Sequence, residues 1–296
     1  MTTMSQSKFI TMGVINLTPN SFSDPHKHLV VESLIKTVDH LRSHQVEILD
    51  IGAESSAPMN REIGPEQEWQ RLEQYFFNSP QLQRMLEFDL SLDSFRPETA
   101  GAFFKKLREL GHNRRQIWND VSGVLDEQTF EVIAEYELEY VYCHNEVKTR
   151  QDLFKHASLR GEGDIFNRVL GDASRVVDLF TRRGLKDRLI FDPCFGFSKS
   201  SEENYALLKE CARLVVSIDV TCLIGISRKS FLRSLVSARE ELSTEQLNEQ
   251  TDVLQAIFLA DLVRELSSNA HRQELIVRLH DPACFALSKQ SQIFLK

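Results

Sequence analysis

Two spacings of apolar residues alternate along this chain. Short apolar runs stop abruptly at polar residues, and between them longer stretches carry apolar side chains three or four positions apart. The short runs are Phe9–Ile15, Ile48–Ile51, Phe88–Leu92, Ile117–Trp118, Tyr140–Tyr142, Leu189–Phe191, Leu223–Ile226 and Leu275–Leu279. Runs of this length, bounded by polar and turn-forming residues, predict buried strands. Val31, Leu34, Ile35, Val38 and Leu41 hold the spacing of one helix face, and further helices are predicted over 66–77, 97–110, 126–136, 164–183, 202–214 and 251–266. Pro97 suits the first position of its helix, with Phe103, Leu107 and Leu110 down one face. Residues 283–295 can form a closing helix, 146–163 read as a long loop, and 238–250 are acidic and polar.

Strands alternating with helices predict a parallel sheet. Eight such units in 296 residues fit an α/β fold, a (β/α)8 TIM barrel in a single domain over 1–296. An open doubly wound sheet is the alternative, but the chain holds no GxGxxG to support it.

Each predicted strand ends in groups able to bind or react: Asn16, Glu54 with Ser56, Asp93, Asn119 with Asp120, His144 with Asn145, Asp192, Ser227 with Lys229, and Arg278 with His280. A barrel gathers such ends at one mouth, which predicts a small-molecule site. Asp93, Asn119 and Asp192 suit a flat heterocycle with an exocyclic amine and a ring N–H, because a carboxylate accepts two donors and an amide donates and accepts side by side. Lys229 can donate to ring oxygen or nitrogen, and Arg278 can stack on the ring while its edge meets an anion. Asn16, Ser56 and His280 can add phosphate or metal-ion contacts. Ion pairing within the mouth remains the alternative for Asp93 and Asp192, and turn or capping chemistry for Asn16 and Asn119. His144 reads as a packed or loop histidine. Phe195 and Phe197 fit pocket lining and core packing equally well. In LIGISRKSF, residues 223–231, two cations and two hydroxyls meet a helix start; this suits an anion, though a solvated turn has the same composition.

Charge narrows the partners. The net charge is −8, so neither nucleic acid nor an anionic membrane is an expected partner. No apolar run approaches the roughly 18 residues of a membrane span. The N-terminal MTTMSQSKF lacks the apolar core of a secretory signal. Five cysteines without a CxxC pair favour free thiols in a reducing cytoplasm over disulfides or zinc. The chain carries no HExxH, GxSxG or P-loop, which argues against the hydrolases and nucleotidases that use them.

The segments MGVINLTPNSFSD, DIGAESSAP, SLDS, NDVSG, FDPCFGFSK, ISRKSF and RLHD occur in that order. Together they resemble the dihydropteroate synthase family over residues 9–290. The resemblance implies a barrel, usually a homodimer, that joins 6-hydroxymethyl-7,8-dihydropterin pyrophosphate to para-aminobenzoate with Mg²⁺ and releases pyrophosphate. It implies pterin contacts at Asp93, Asn119, Asp192, Lys229 and Arg278, and pyrophosphate contacts at Asn16, Ser56, Arg278 and His280. Aminobenzoate would meet Pro58, Phe197, Lys229 and Ser230, and Asn16 would face the metal ion. The implied chemistry is loss of pyrophosphate from a pterin methylene, then capture of that cation by the arylamine. Where the family usually reads TPDSFSDGG this chain has Asn20, Pro25 and His26. Where it reads GGESTRPG the chain has Ser56, Ala57 and Met59. Cys194 and Ser198 stand in place of glycines in the sixth-strand motif. Glycine permits backbone paths that other residues resist, so the two mobile loops, 17–28 and 53–64, are expected to move or fold differently. A pterin-binding relative with weak or no synthase activity, and a pterin-binding methyltransferase domain, are the alternative readings.

Overall fold

The computed structural model describes residues 8–17, 27–54, 63–146, 149–150, 163–237, 242–268 and 273–286. Its strands are β1 (Lys8–Asn16), β2 (Ile48–Gly52), β3 (Asp89–Asp93), β4 (Gln116–Asp120), β5 (Glu139–Cys143), β6 (Leu189–Asp192), β7 (Thr221–Ile224) and β8 (Glu274–Leu279). They close into a barrel in sequence order, as a (β/α)8 fold requires. Strands buried on both faces appear in the sequence as short apolar runs, and β2 and β6 are buried at every position.

The described residues pack as two compact units, one within 12–157 and one within 158–296 joined by the start of β1 up to Thr11. The first unit holds α1 (Lys27–Ser43), α2 (Pro65–Leu72), α3 (Leu82–Met85), α4 (Pro97–Glu109) and α5 (Glu127–Tyr136). Pro97 takes the first turn of α4 as predicted, but Leu110 forms its C-cap and is 41% exposed. The helix predicted over 66–77 changes winding at Leu72 and continues as a π-helical turn over Glu73–Phe77. That turn carries Phe76 and Phe77 inward together, and both rings meet Phe103 of α4 at centroid distances of 5.4 and 5.3 Å.

The second unit holds α6 (Ile165–Arg182), α7 (Ser201–Lys209), α8 (Cys211–Ser217), α9 (Ser230–Ser237) and α10 (Thr244–Ser268). Asp164 caps α6 by accepting from the Asn167 N–H. The single helix predicted over 202–214 is two helices divided at Glu210, whose backbone leaves helical geometry at φ −101°, ψ 8°. Strand β7 lies two residues earlier than predicted: the ladder ends with Ile224 opposite Val277, which leaves Gly225 and Ile226 to the turn. Part of the polar stretch 238–250 is helical, because α10 already begins at Thr244 with its first turns exposed. Among the described residues no helix is long and apolar enough to cross a membrane.

Candidate active site

Parallel register sets out the first unit's polar groups. Gly52 of β2 lies opposite Asn16 on one side and Asp93 on the other, and Asp93 lies opposite Asn119. Four strand ends thus form one row. Gly52 leaves a gap in it: a Cβ built there would lie 3.6 Å from Asp93 Oδ2 and 3.7 Å from Asn16 Oδ1. Asp50, two residues earlier in β2, is fully buried and accepts from Ser91 Oγ at 2.6 Å and from Asn119 Nδ2 at 3.2 Å. The Asn119 amide is therefore held from behind by a carboxylate.

Asp120 belongs to the packing instead. It accepts from Tyr140 Oη at 2.9 Å and the Ser122 N–H at 2.8 Å. Burial pushes its carboxyl upward against those hydrogen bonds and the Arg150 charge. His144 is buried at the end of β5. Glu54 lies in a buried ion cluster: Arg96 Nη1 donates to Glu54 Oε2 at 2.5 Å and to Glu68 Oε2 at 3.1 Å, and Thr99 Oγ1 donates to Glu68 at 2.7 Å. The Ile63 N–H donates to Glu54 Oε1, and Arg96 Nη2 donates to the Ile63 carbonyl. Burial holds the Glu68 carboxyl above its ordinary range although Arg96, Thr99 and Ser94 oppose it. Ser56 and Pro58, and the departures at Asn20, Pro25, His26, Ala57 and Met59, lie outside the described residues.

In the second unit, Asp192 ends β6 and accepts from the Cys194 N–H at 2.7 Å. Burial raises its carboxyl, while that bond and the charges of Lys229, Lys199 and Arg278 pull it back. Lys199 Nζ donates to the carbonyls of Cys194 and Phe197, both at 3.1 Å. Asn204, 1% exposed in α7, accepts from the Gly196 N–H at 2.7 Å and donates to the Ser200 carbonyl at 2.8 Å. Held in this way, the β6–α7 loop keeps left-handed backbone at Cys194 (φ 58°), Gly196 (φ 83°) and Ser198 (φ 50°). Cys194 and Ser198 thus sit in backbone that favours glycine, with side-chain hydrogen bonds to the backbone around them.

Left-handed backbone costs a non-glycine residue about 1–2 kcal/mol, and glycine gives back about 0.5–1 kcal/mol through unfolded-chain entropy. Ser198→Gly is therefore expected to stabilise the protein by about 0.5–1 kcal/mol in urea unfolding. Cys194→Gly should gain less, since the Cys194 side chain is buried and its packing would be lost.

Lys229 Nζ lies 4.4 Å from the centre of the Phe197 ring, and the Lys229 stem runs along Gly196. The Arg278 stem runs along Gly225. Ser230 is exposed as the first residue of α9. Arg228, at φ 56°, pairs with Asp252 at 3.3 Å, so the first cation of SRKSF is tied to α10. The His280 N–H donates to Ser227 Oγ at 3.2 Å, and Oγ lies 3.0 Å from His280 Nδ1. Ser227 Oγ therefore holds both the backbone and the ring of His280 in place. Burial and the charges of Arg278, Arg228, Lys229 and Arg233 push His280 down to about 3.

The folded protein thus refuses a proton that the unfolded chain accepts, so His280 makes stability fall as pH drops from the usual histidine range near 6.5 toward 3. His280→Gln is expected to flatten that slope when unfolding free energies are compared between pH 4.5 and 7.

Together these groups form a positive patch in a chain of net charge −8. Arg278 and Lys229, whose charges act on His280, suit anionic oxygen. Asp50, Lys199 and Asn204 are the residues that motif reading left without a role. Asp50 had a signal, as the one charged residue in an apolar strand; Asn204 had none.

A family model described as pterin binding enzyme matches residues 12–265. The chain is 33% identical over 249 residues to the mitochondrial folate synthesis bifunctional protein of Pisum sativum, covering 77% of this chain and 44% of that protein. It is 29% identical over 229 residues to the dihydropteroate synthase of Streptococcus pyogenes, covering 76% of this chain and 77% of that one. Among solved structures, the dihydropteroate synthase of Xanthomonas albilineans with 4-aminobenzoic acid is 26% identical with a TM-score of 0.70, covering 98% of this chain and 94% of that chain. The enzyme of Anaplasma phagocytophilum with bound 6-hydroxymethylpterin-monophosphate is 25% identical with a TM-score of 0.72, covering 98% and 100%.

Proposed function

The chain belongs to the pterin binding enzyme family, and from that premise we propose that it is a dihydropteroate synthase, a transferase of folate biosynthesis. It joins 6-hydroxymethyl-7,8-dihydropterin pyrophosphate to para-aminobenzoate and releases pyrophosphate. The observation that carries this reading is the row Asn16–Gly52–Asp93–Asn119, a set of amide and carboxylate groups with an open position at Gly52.

Asp93, Asn119 and Asp192 take the donors of the pterin ring, Asn119 with its amide on the 2-amino edge. Lys229 donates to the ring, and Arg278 covers its face. Arg278 and His280 receive the pyrophosphate, with the His280 ring held by Ser227. Phe197, Lys229 and Ser230 receive the aminobenzoate. Asn16, through its amide oxygen, would hold a Mg²⁺ ion, which takes oxygen ligands and would neutralise leaving-group charge.

In the reaction the methylene C–O bond breaks and its electron pair leaves on pyrophosphate. The arylamine nitrogen then bonds to the methylene carbon and loses a proton. Positive side chains beside the leaving group, and a fixed amine, supply the rate enhancement without a side-chain nucleophile. Five buried cysteines, none in a disulfide, fit a reducing cytoplasm. In the homodimer that the reading includes, Val253 and Ile257 of α10, 60% and 63% exposed, are apolar surface suited to burial.

The test is direct. Purified protein given the dihydropterin pyrophosphate, para-aminobenzoate and Mg²⁺ should form dihydropteroate and pyrophosphate in equal amounts. Pterin binding without either product would identify a relative that has lost the synthase step.

A further inference from the structure

We propose that Asp50 is a positioning residue that sets ring specificity by fixing which way the Asn119 amide faces. The inference rests on the pterin reading above. Asp50 is fully buried, and its carboxylate takes the Ser91 hydroxyl at 2.6 Å and Asn119 Nδ2 at 3.2 Å. Register keeps all three in place, with Asp50 opposite Ser91 and Asn119 on the next strand.

A carboxylate has only acceptors. If the Asn119 amide turned over, its Oδ1 would face Asp50 oxygen at hydrogen-bond distance, and two buried acceptors would be left without a proton between them. Asp50 therefore locks one orientation. One N–H points back to Asp50; the second N–H and the carbonyl form a donor–acceptor pair for the ligand.

That pair matches a ring nitrogen next to an exocyclic amine, as in a 2-amino-4-oxopteridine. It opposes a 2,4-dioxopteridine, whose corresponding edge carries a ring N–H next to a carbonyl. The reversed amide would match the dioxo ring, and Asp50 forbids it. Specificity at this edge thus comes from a side chain that does not touch the ligand.

The experiment measures affinities of pterin and of lumazine, its 2,4-dioxo counterpart, for the wild type and Asp50→Asn. The carboxamide introduced by that substitution can turn a donor toward Asn119 and permit the reversed amide. The pterin-to-lumazine affinity ratio should then fall about tenfold, with lumazine binding gained as well as pterin binding lost. Thermal melting establishes that the variant is folded. If it is not, the exchange pair D50N/N119D keeps the buried hydrogen bond with its direction reversed and presents only acceptors to the ligand, so the ratio should fall there also. An unchanged ratio in either folded variant overturns the proposal. A wild type that binds neither ring overturns the pterin reading itself, which is a different result from a selective wild type with an equally selective variant.

Discussion

Asp192→Asn is expected to raise the dissociation constant for the pterin substrate about 100-fold or more, because truncating the charge of a buried hydrogen-bonded partner removes roughly 2–5 kcal/mol. Asp192 ends β6 in a buried position, surrounded by Lys229, Lys199 and Arg278. A carboxamide there accepts one pterin donor but turns its own N–H groups toward the second, so a two-donor edge loses its match. The same substitution should not unfold the protein. Burial holds the Asp192 carboxyl above its usual range, so the folded state binds that proton more tightly than the unfolded chain does. Ionising Asp192 near neutral pH therefore works against folding, and a neutral isostere is released from that penalty. The melting temperature of Asp192→Asn should equal or exceed that of the wild type while calorimetry shows weak pterin binding. A variant that lost affinity and stability together would place Asp192 in the packing rather than in the site.

The largest stability effect is expected at Arg96. Arg96→Ala should destabilise the protein by about 3–5 kcal/mol, since it leaves Glu54 and Glu68 buried without their shared cation. For a chain of this size that is a fall in melting temperature of roughly 10 °C. Arg96→Lys should recover only part of it, because one ammonium cannot serve two carboxylates and the Ile63 carbonyl in the geometry of a planar guanidinium. The deficit has a pH signature. Without Arg96 the Glu68 carboxyl rises further, and protonation then relieves the repulsion. The gap between variant and wild type should narrow as pH falls from 7 to 5, as scanning calorimetry at both values would record.

The strands were legible because a barrel buries them on both faces, and burial leaves apolar runs such as LIF before Asp192 and LIVRL before His280. Positions set by local sequence followed: Pro97 opened α4 and Asp164 capped α6. The π-helical turn at Glu73–Phe77 and the break at Glu210 were not legible, since apolar spacing there suits an unbroken helix and tertiary packing decides otherwise. At the site, the strand-end residues stood out by type and position. Their supports did not. Arg96 meets Glu54 and Glu68 across 42 and 28 residues of chain, and Asp50 meets Asn119 across 69. Strand register brings Asp50 to Asn119 and tertiary packing brings Arg96 to its carboxylates, and no local pattern announces either.

The β6–α7 loop bears on how this sequence can vary. In a loop shaped by glycines, each position tolerates its path independently. Here Cys194 and Ser198 take a left-handed path while Asn204 and Lys199 grip the surrounding backbone. The residues are therefore epistatic: substitutions at 204 are harmful in this background and milder in one with glycine at 194 and 198. A mutational route that places glycine at 194 and 198 before it releases Asn204 is therefore expected to cost less stability than the reverse order.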